Sequence, residues 1–155
     1  MEEEIIQTAG AVLYPKKIIV ETRNLTSQMT YHSTDDLTIL PIDSSFEVLG
    51  RAISAHLARS TFVPLGSVDY KELRKKYYKK GKFRSETDTR RDARYVAIFR
   101  VKSFLRLEPR NNVLSDGRWG SLLGMPNEVF RIDDVNDYIA IGKAINLAWT
   151  KCIFS

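Results

Sequence analysis

Apolar positions along the first part of the chain alternate in short runs and then switch to helical spacing. Ala11-Val12-Leu13-Tyr14 and Ile18-Ile19-Val20-Glu21-Thr22 read as strands, with Pro15-Lys16-Lys17 as a bend or edge break between them. Gln28-Met29-Thr30-Tyr31 is a weaker strand, and Leu37-Thr38-Ile39-Leu40 is a core strand ended by Pro41. Ser44-Ser45-Phe46-Glu47 has the form of a capping box, a hydroxyl for free amides and a carboxylate three residues on. From there Phe46, Leu49, Gly50, Ile53 and Leu57 share one helical face. Asp69 opens a short helix with Glu72 at the reciprocal position and Gly81 as its stop; Tyr70, Leu73 and Tyr77 give it a narrow apolar stripe. The stretch from Gly81 to Arg94 has no periodicity and is expected to be a mobile loop. Tyr95–Val101 and Ser103–Leu107 form a predicted hairpin, Asp116-Gly117 and Trp119-Gly120 mark turns, and Glu128–Ile132 alternates as a half-buried strand. Asp133 or Asp134 is the expected cap of a final helix whose face is Val135, Tyr138, Ile139, Gly142, Ile145, Trp149 and Ile153.

Two of these helices echo one another. Leu49-Gly50-Arg51-Ala52-Ile53 returns as Ile141-Gly142-Lys143-Ala144-Ile145, and superposing the glycines places Phe46 on Tyr138, Leu57 on Trp149 and Ser60 on Cys152. The pattern reads as one domain, 1–155, built from related halves at about 11–60 and 93–153, joined by a basic helix and loop at 67–94. Glycine inside a helix costs roughly 1 kcal/mol relative to alanine, so Gly50 and Gly142 at matched positions point to close packing. The expected fold is α+β: an antiparallel sheet carrying both glycine-bearing helices on one face, with a short basic connecting helix.

Composition narrows the function. At 155 residues the chain can bury an ordinary core without a metal or disulfide. Its single cysteine, Cys152, excludes an intrachain disulfide and any multi-cysteine zinc site, and reads as a small buried hydrophobe. The acidic opening Met1-Glu2-Glu3-Glu4 is unlike a secretory signal, and no apolar run approaches the roughly 20 residues of a membrane span. A cytoplasmic protein without a membrane partner is expected. The net charge of +5 is unevenly placed: residues 71–94 hold eleven Lys/Arg and four acids, a net of +7, which leaves −2 for the remainder. Any electrostatic argument concerns that segment.

Candidate chemistry is sparse. The histidines are His32, on an expected loop, and His56, at the boundary of the first helix's apolar face. No His/Cys/Asp cluster has zinc spacing and there is no glycine-rich phosphate loop, so no metal, cofactor or catalytic residue is expected. Asp35-Asp36 and Asp133-Asp134 adjoin predicted turns or helix starts, where carboxylates cap amides. Binding remains. Tyr77, Tyr78 and Phe83 among lysines fit three readings: a single-stranded nucleic-acid surface, a solvated helix with rings packed beneath, or a docking surface for an acidic protein.

Several stretches, in order, carry a family resemblance. They are Leu40-Pro41-Ile42-Asp43, then Leu49 through Ser60, the basic loop, Leu107-Glu108-Pro109-Arg110, the Trp119 turn, and Ile141 through Cys152. Together, from Leu37 to Cys152, they resemble the immunity proteins of bacterial contact-dependent growth inhibition (CDI) systems. The resemblance implies a cytoplasmic, non-enzymatic inhibitor that binds the C-terminal toxin domain of a sibling cell's effector, often a nuclease, one to one. It supplies no shared contact residues. Charge and exposure nominate Lys75, Lys79, Lys80, Lys82, Arg84, Arg90 and Arg91 for toxin binding, with Gly50, Gly142 and Trp149 as structural residues. Strands followed by helices on one face also look like the Whirly group of single-stranded nucleic-acid binders, which keeps RNA or single-stranded DNA as the alternative partner.

Overall fold

The computed structural model describes residues 4–27, 30–64, 66–110, 114–115, 118–119 and 128–152. Eight strands and four helices follow in the order β1 (Ile5–Leu13), β2 (Ile18–Ser27), β3 (Thr30–Leu40), α1 (Phe46–Arg59), α2 (Tyr70–Gly81), α3 (Glu86–Arg90), β4 (Arg94–Val101), β5 (Phe104–Pro109), β6 (Leu114–Ser115), β7 (Arg118–Trp119), β8 (Phe130–Ile132) and α4 (Tyr138–Thr150). Six strands make one antiparallel sheet in the order β3-β2-β1-β4-β5-β8. The first three strands therefore lie on one side of the central β1–β4 pair and the last three on the other. The expected turns at Asp116-Gly117 and Gly120 lie outside the described residues.

β1 is longer than its hydrophobic run, because Thr8, Ala9 and Gly10 are as buried as Val12. Small residues occupy these positions because helices lie close above them. Ala9, Ala11, Ile18, Val20, Val96, Ile98, Leu105 and Leu107 face Leu49, Ile53, Leu57, Ile141, Ile145 and Trp149 in one core cluster, so α1 and α4 cover the same sheet face. Burying such aliphatic side chains is worth about 1.5–3 kcal/mol each. The Trp149 indole reaches through this layer to donate to the Ala11 carbonyl at 3.2 Å.

The two glycines sit where the helices cross. A Cβ on Gly50 would lie 1.9 Å from the Tyr138 carbonyl oxygen, and one on Gly142 would lie 2.1 Å from that of Phe46. Each glycine thus receives the residue four positions before the other, the same pair that the sequence superposition matches. This contact sets the rotation of α4. Ile141 and Ala148 face inward, while Ile139, expected on the apolar face, is 49% exposed. The caps also differ from expectation. Ser45 rather than Ser44 caps α1, accepting from the Val48 amide, and Asp137 rather than Asp133 or Asp134 caps α4, accepting from Ala140. Ser44 instead donates to the Pro41 carbonyl, Asp133 pairs with Arg131, and Asp134 accepts from the Asn136 amide.

His56 is not a boundary residue. It is 1% exposed, on α1 against β2 and β3. Its Nδ1 lies 2.8 Å from the Thr22 hydroxyl and its Nε2 lies 2.8 Å from the Thr38 hydroxyl. Thr22 donates to Asp36 at 2.8 Å, and Arg59 binds the same carboxylate at 2.6 Å. One proton assignment satisfies this set: Nδ1–H donates to Thr22, Thr22 donates to Asp36, and Thr38 donates to Nε2. The neutral ring suits it, and burial lowers the His56 pKa, opposed by Asp36 and aided by Arg59. His32, Asp35 and Asp36 lie within β3 rather than on a loop or turn.

Replacing Gly50 or Gly142 by leucine is expected to cost about 1–3 kcal/mol or more, since a backbone carbonyl cannot turn aside as a side-chain tip can. Even alanine, which helix propensity alone favours by about 1 kcal/mol, should destabilise. An unchanged urea midpoint for these variants would contradict the close crossing.

The histidine also sets a pH dependence. The unfolded chain takes up the His56 proton more readily than the folded chain. Its contribution is therefore complete above the ordinary value of 6.5 and declines as pH falls below it toward the lower folded value. Asp36, held below its ordinary 3.8 mainly by Arg59, adds a second loss at lower pH. The fall in melting temperature from about pH 7 to about pH 5 should be steeper in wild type than in His56→Gln. Parallel slopes would remove His56 as the titrating group.

Candidate functional site

With one sheet face filled by α1 and α4, the opposite face carries the remaining apolar side chains. Val12, Tyr14, Ile19, Tyr95, Ala97 and Phe99 are buried there, with Tyr31, Leu37 and Phe83 packed against them. The basic segment lies over this face, so it is a second layer more than a bridge. Asp69 caps α2 by accepting from Lys71 and Glu72 amides, and Lys82, at φ 60, takes the left-handed position beyond Gly81. Gly81 itself is needed for space: a Cβ there would lie 2.4 Å from the Phe83 ring, which folds back over it.

Rings and one lysine anchor the segment. Phe83 lies against Tyr14 at 5.3 Å between centroids and stacks with Tyr77 at 6.0 Å. Lys17 donates to the Gly81 carbonyl at 2.6 Å with its ammonium 4.2 Å from the Phe83 ring centre. The Tyr14 hydroxyl donates to the Thr89 carbonyl at 2.7 Å. The stretch expected to be a mobile loop therefore contains α3, capped by Ser85 and tied to the sheet. Its signal was short and wholly polar, without the apolar periodicity that marks longer helices. Tyr77 and Phe83 point inward, which is the arrangement of rings packed beneath a solvated helix.

The nominated cations divide into two groups. Lys75 pairs with Glu72, Lys80 with Asp35 at 3.1 Å, and Arg90 with Glu86. Lys79, Lys82, Arg84 and Arg91 are exposed and enter no salt bridge among the described residues. The free positive charge is thus concentrated around the C-terminal end of α2 and the turn after it.

Beneath the segment lies a cavity of about 360 Å³, lined by β2, β3, β4, α2 and α3. Glu21, only 2% exposed, stands on its sheet side. Burial raises the Glu21 pKa, opposed by Arg23, Ser33, Tyr77 and Tyr95. Ser33 donates to Oε1 at 3.1 Å, while Oε2 and the neighbouring Tyr95 hydroxyl meet no partner in hydrogen-bonding geometry. Gly10 makes room for both groups, because a Cβ there would lie 2.6 Å from the Tyr95 hydroxyl and 2.9 Å from Glu21 Oε1. Arg23 lies over the Tyr31 and Tyr95 rings at 5.1 and 5.6 Å. Neither Glu21 nor Arg23 stood out in the sequence. The available signal was Ile19, Glu21 and Arg23 at every second position of a strand, which puts two charges in line with a core isoleucine.

Among the described residues no three His, Cys, Asp or Glu side chains are grouped to hold a metal, and no helix is long and apolar enough to cross a membrane. No curated protein sequence matches the chain. A protein of unknown function from Neisseria meningitidis shares the fold with a TM-score of 0.78 and 18% identity, over 99% of both chains. A chain of the CdiA-CT/CdiI toxin and immunity complex from Yersinia pseudotuberculosis matches with a TM-score of 0.70 and 16% identity, over 97% of this chain and 100% of that one. The model of the CdiI family, described as CDI immunity protein, matches residues 7–152. That span takes in the sheet, α1, α4 and the basic layer alike, and the chain belongs to the CDI immunity protein family.

Proposed function

We propose that this chain neutralises the C-terminal toxin domain of a CDI effector, binding it one to one in the cytoplasm of the cell that makes both. The observation that carries this reading is the family match across residues 7–152. The fold shared with a chain of a toxin–immunity complex supports it. Inhibition is by occupancy and not by catalysis: the one histidine network is sealed in the core, with Thr22 2% and His56 1% exposed.

The contact surface we assign to the toxin is the basic layer, centred on Lys79, Lys82, Arg84 and Arg91. Lys75, Lys80 and Arg90 have local acidic partners and contribute less net charge. The expected complement is an acidic face. If the toxin is a nuclease, its substrate cleft is itself cationic and would repel this layer. The basic layer then grips the toxin beside that cleft, and bulk excludes the substrate.

Co-expression with the toxin domain encoded beside this gene should yield a stable one-to-one complex and restore growth to the producing cell. No complex in that experiment would overturn the proposed function. Reversing Lys79, Lys82 and Arg84 to Glu should slow association roughly tenfold or more at low salt, with a smaller effect near physiological salt. An unaltered association rate would move the contact off the basic layer.

A further inference from the structure

The cavity under α2 has features that a toxin contact does not use. Among the described residues, six side chains hold a buried polar atom without a hydrogen-bond partner, and four of them line this one cavity: Glu21, Arg23, Tyr70 and Tyr95. Buried polar groups are ordinarily paired, so their concentration in one place marks a site completed by something else. Glu21 and Tyr95 are 2% and 7% exposed, which makes them built into the sheet and not surface side chains.

The character of the walls limits what fits. Glu21 Oε2 needs an N–H or O–H donor. A cation is disfavoured, because the ionisable groups lining the cavity are Arg23, Arg74 and Arg90 against Glu21 and Glu86, a positive balance. The donor is therefore neutral, on a ligand whose other end tolerates or wants positive charge. Rings of Tyr14, Tyr70 and Tyr77 line the same space, and flat aromatic walls suit a planar heterocycle. A volume of about 360 Å³ falls at the lower end of the roughly 300–1,000 Å³ range of small-molecule pockets. Arg74 is exposed where it lines the cavity, at the rim, beside the lysines of α2.

We propose that this cavity is a binding site for a guanine nucleotide, with the adjacent N–H donors of the base on the Glu21 carboxylate and the phosphate toward Arg74. Adenine and the pyrimidines lack that pair of adjacent donors on one edge. A carboxylate distinguishes the bases on this ground, by leaving acceptors opposed to acceptors when the wrong one enters. The site is independent of toxin neutralisation, since its groups lie behind α2 and not on its outer face.

Calorimetric titration of the full chain tests this with guanosine monophosphate, guanosine, adenosine monophosphate, cytidine monophosphate and free arginine as probes. Saturable binding of guanosine monophosphate is expected, with guanosine weaker and the other two nucleotides roughly tenfold weaker or more. Glu21→Gln should remove the preference for guanine over adenine. Arg74→Ala should bring guanosine monophosphate down to the affinity of guanosine. Arg74 is exposed, so that second variant decides the matter if Glu21→Gln does not fold. No saturable binding of guanosine monophosphate, equal affinity for guanine and adenine nucleotides, or saturation by arginine in place of the nucleotide would each overturn the proposal.

Discussion

Backbone-to-backbone contact between α1 and α4 is the constraint on which the rest of the structure depends. Glycine at 50 and 142 lets each helix press against a carbonyl of the other, Tyr138 and Phe46 respectively. Such proximity pulls both helices down onto the sheet, and that is why the central strand beneath them carries Ala9 and Ala11 where larger residues would otherwise serve. Trp149 then fixes the height of α4, since its indole reaches the Ala11 carbonyl only if the two layers stay this close. Cys152 ends in the same layer, donating to the Tyr95 carbonyl at 3.4 Å, and burial pushes its thiol up to about 11. A thiol so placed is an inert packing group.

A face used so completely leaves recognition to the other one. There the covering layer cannot be held as the first is, because α2 is lysine-rich and offers few aliphatic side chains to bury. It is held by rings instead. Tyr14, Tyr77 and Phe83 make a small aromatic group, and Lys17 adds an ammonium that both binds the end of α2 and lies over the Phe83 ring. Desolvation lowers the Lys17 pKa, with Asp88 acting against it and Lys82 with it. A layer anchored at a few aromatic points need not fill the space behind it. The cavity beside Glu21 is what that sparse anchoring leaves.

How much of this could be read from the chain depends on whether the signal was periodic. Both glycine-bearing helices, the antiparallel strands and the single buried cysteine followed from apolar spacing and from the repeat around Gly50 and Gly142. The caps at Ser45 and Asp137 did not, because neighbouring Ser or Asp residues offer the same chemistry and only the local backbone chooses among them. β3 was underestimated for a related reason. Its middle carries His32, Ser33, Thr34, Asp35 and Asp36, polar residues that read as a turn. In the fold they are satisfied one by one, by Glu21, Thr22, Arg59 and Lys80. Long-range pairing of this kind overrides local propensity and leaves no trace in local spacing. Glu21 was missed by the same logic, since one carboxylate in an apolar strand looks like ordinary alternation until the second face is known to be covered.

The two faces of α2 pose different recognition problems with the same charges nearby. Outside, Lys79, Lys82 and Arg84 act through a field that decays over a Debye length of about 8 Å at physiological salt. They select a partner by sign and steer its approach, but they cannot read its shape. Inside, Glu21 lies out of water behind a wall of tyrosine rings, where a mismatched hydrogen bond has no solvent to repair it. The positive exterior bears on the interior as well. It favours ionised Glu21 and so offsets part of the desolvation that raises its pKa, with Arg23 the nearest contributor. Removing outer lysines should therefore leave the contacts of the cavity intact while weakening the field that helps keep its carboxylate charged. Long-range attraction and short-range discrimination are thus separable by residue, although one helix carries both.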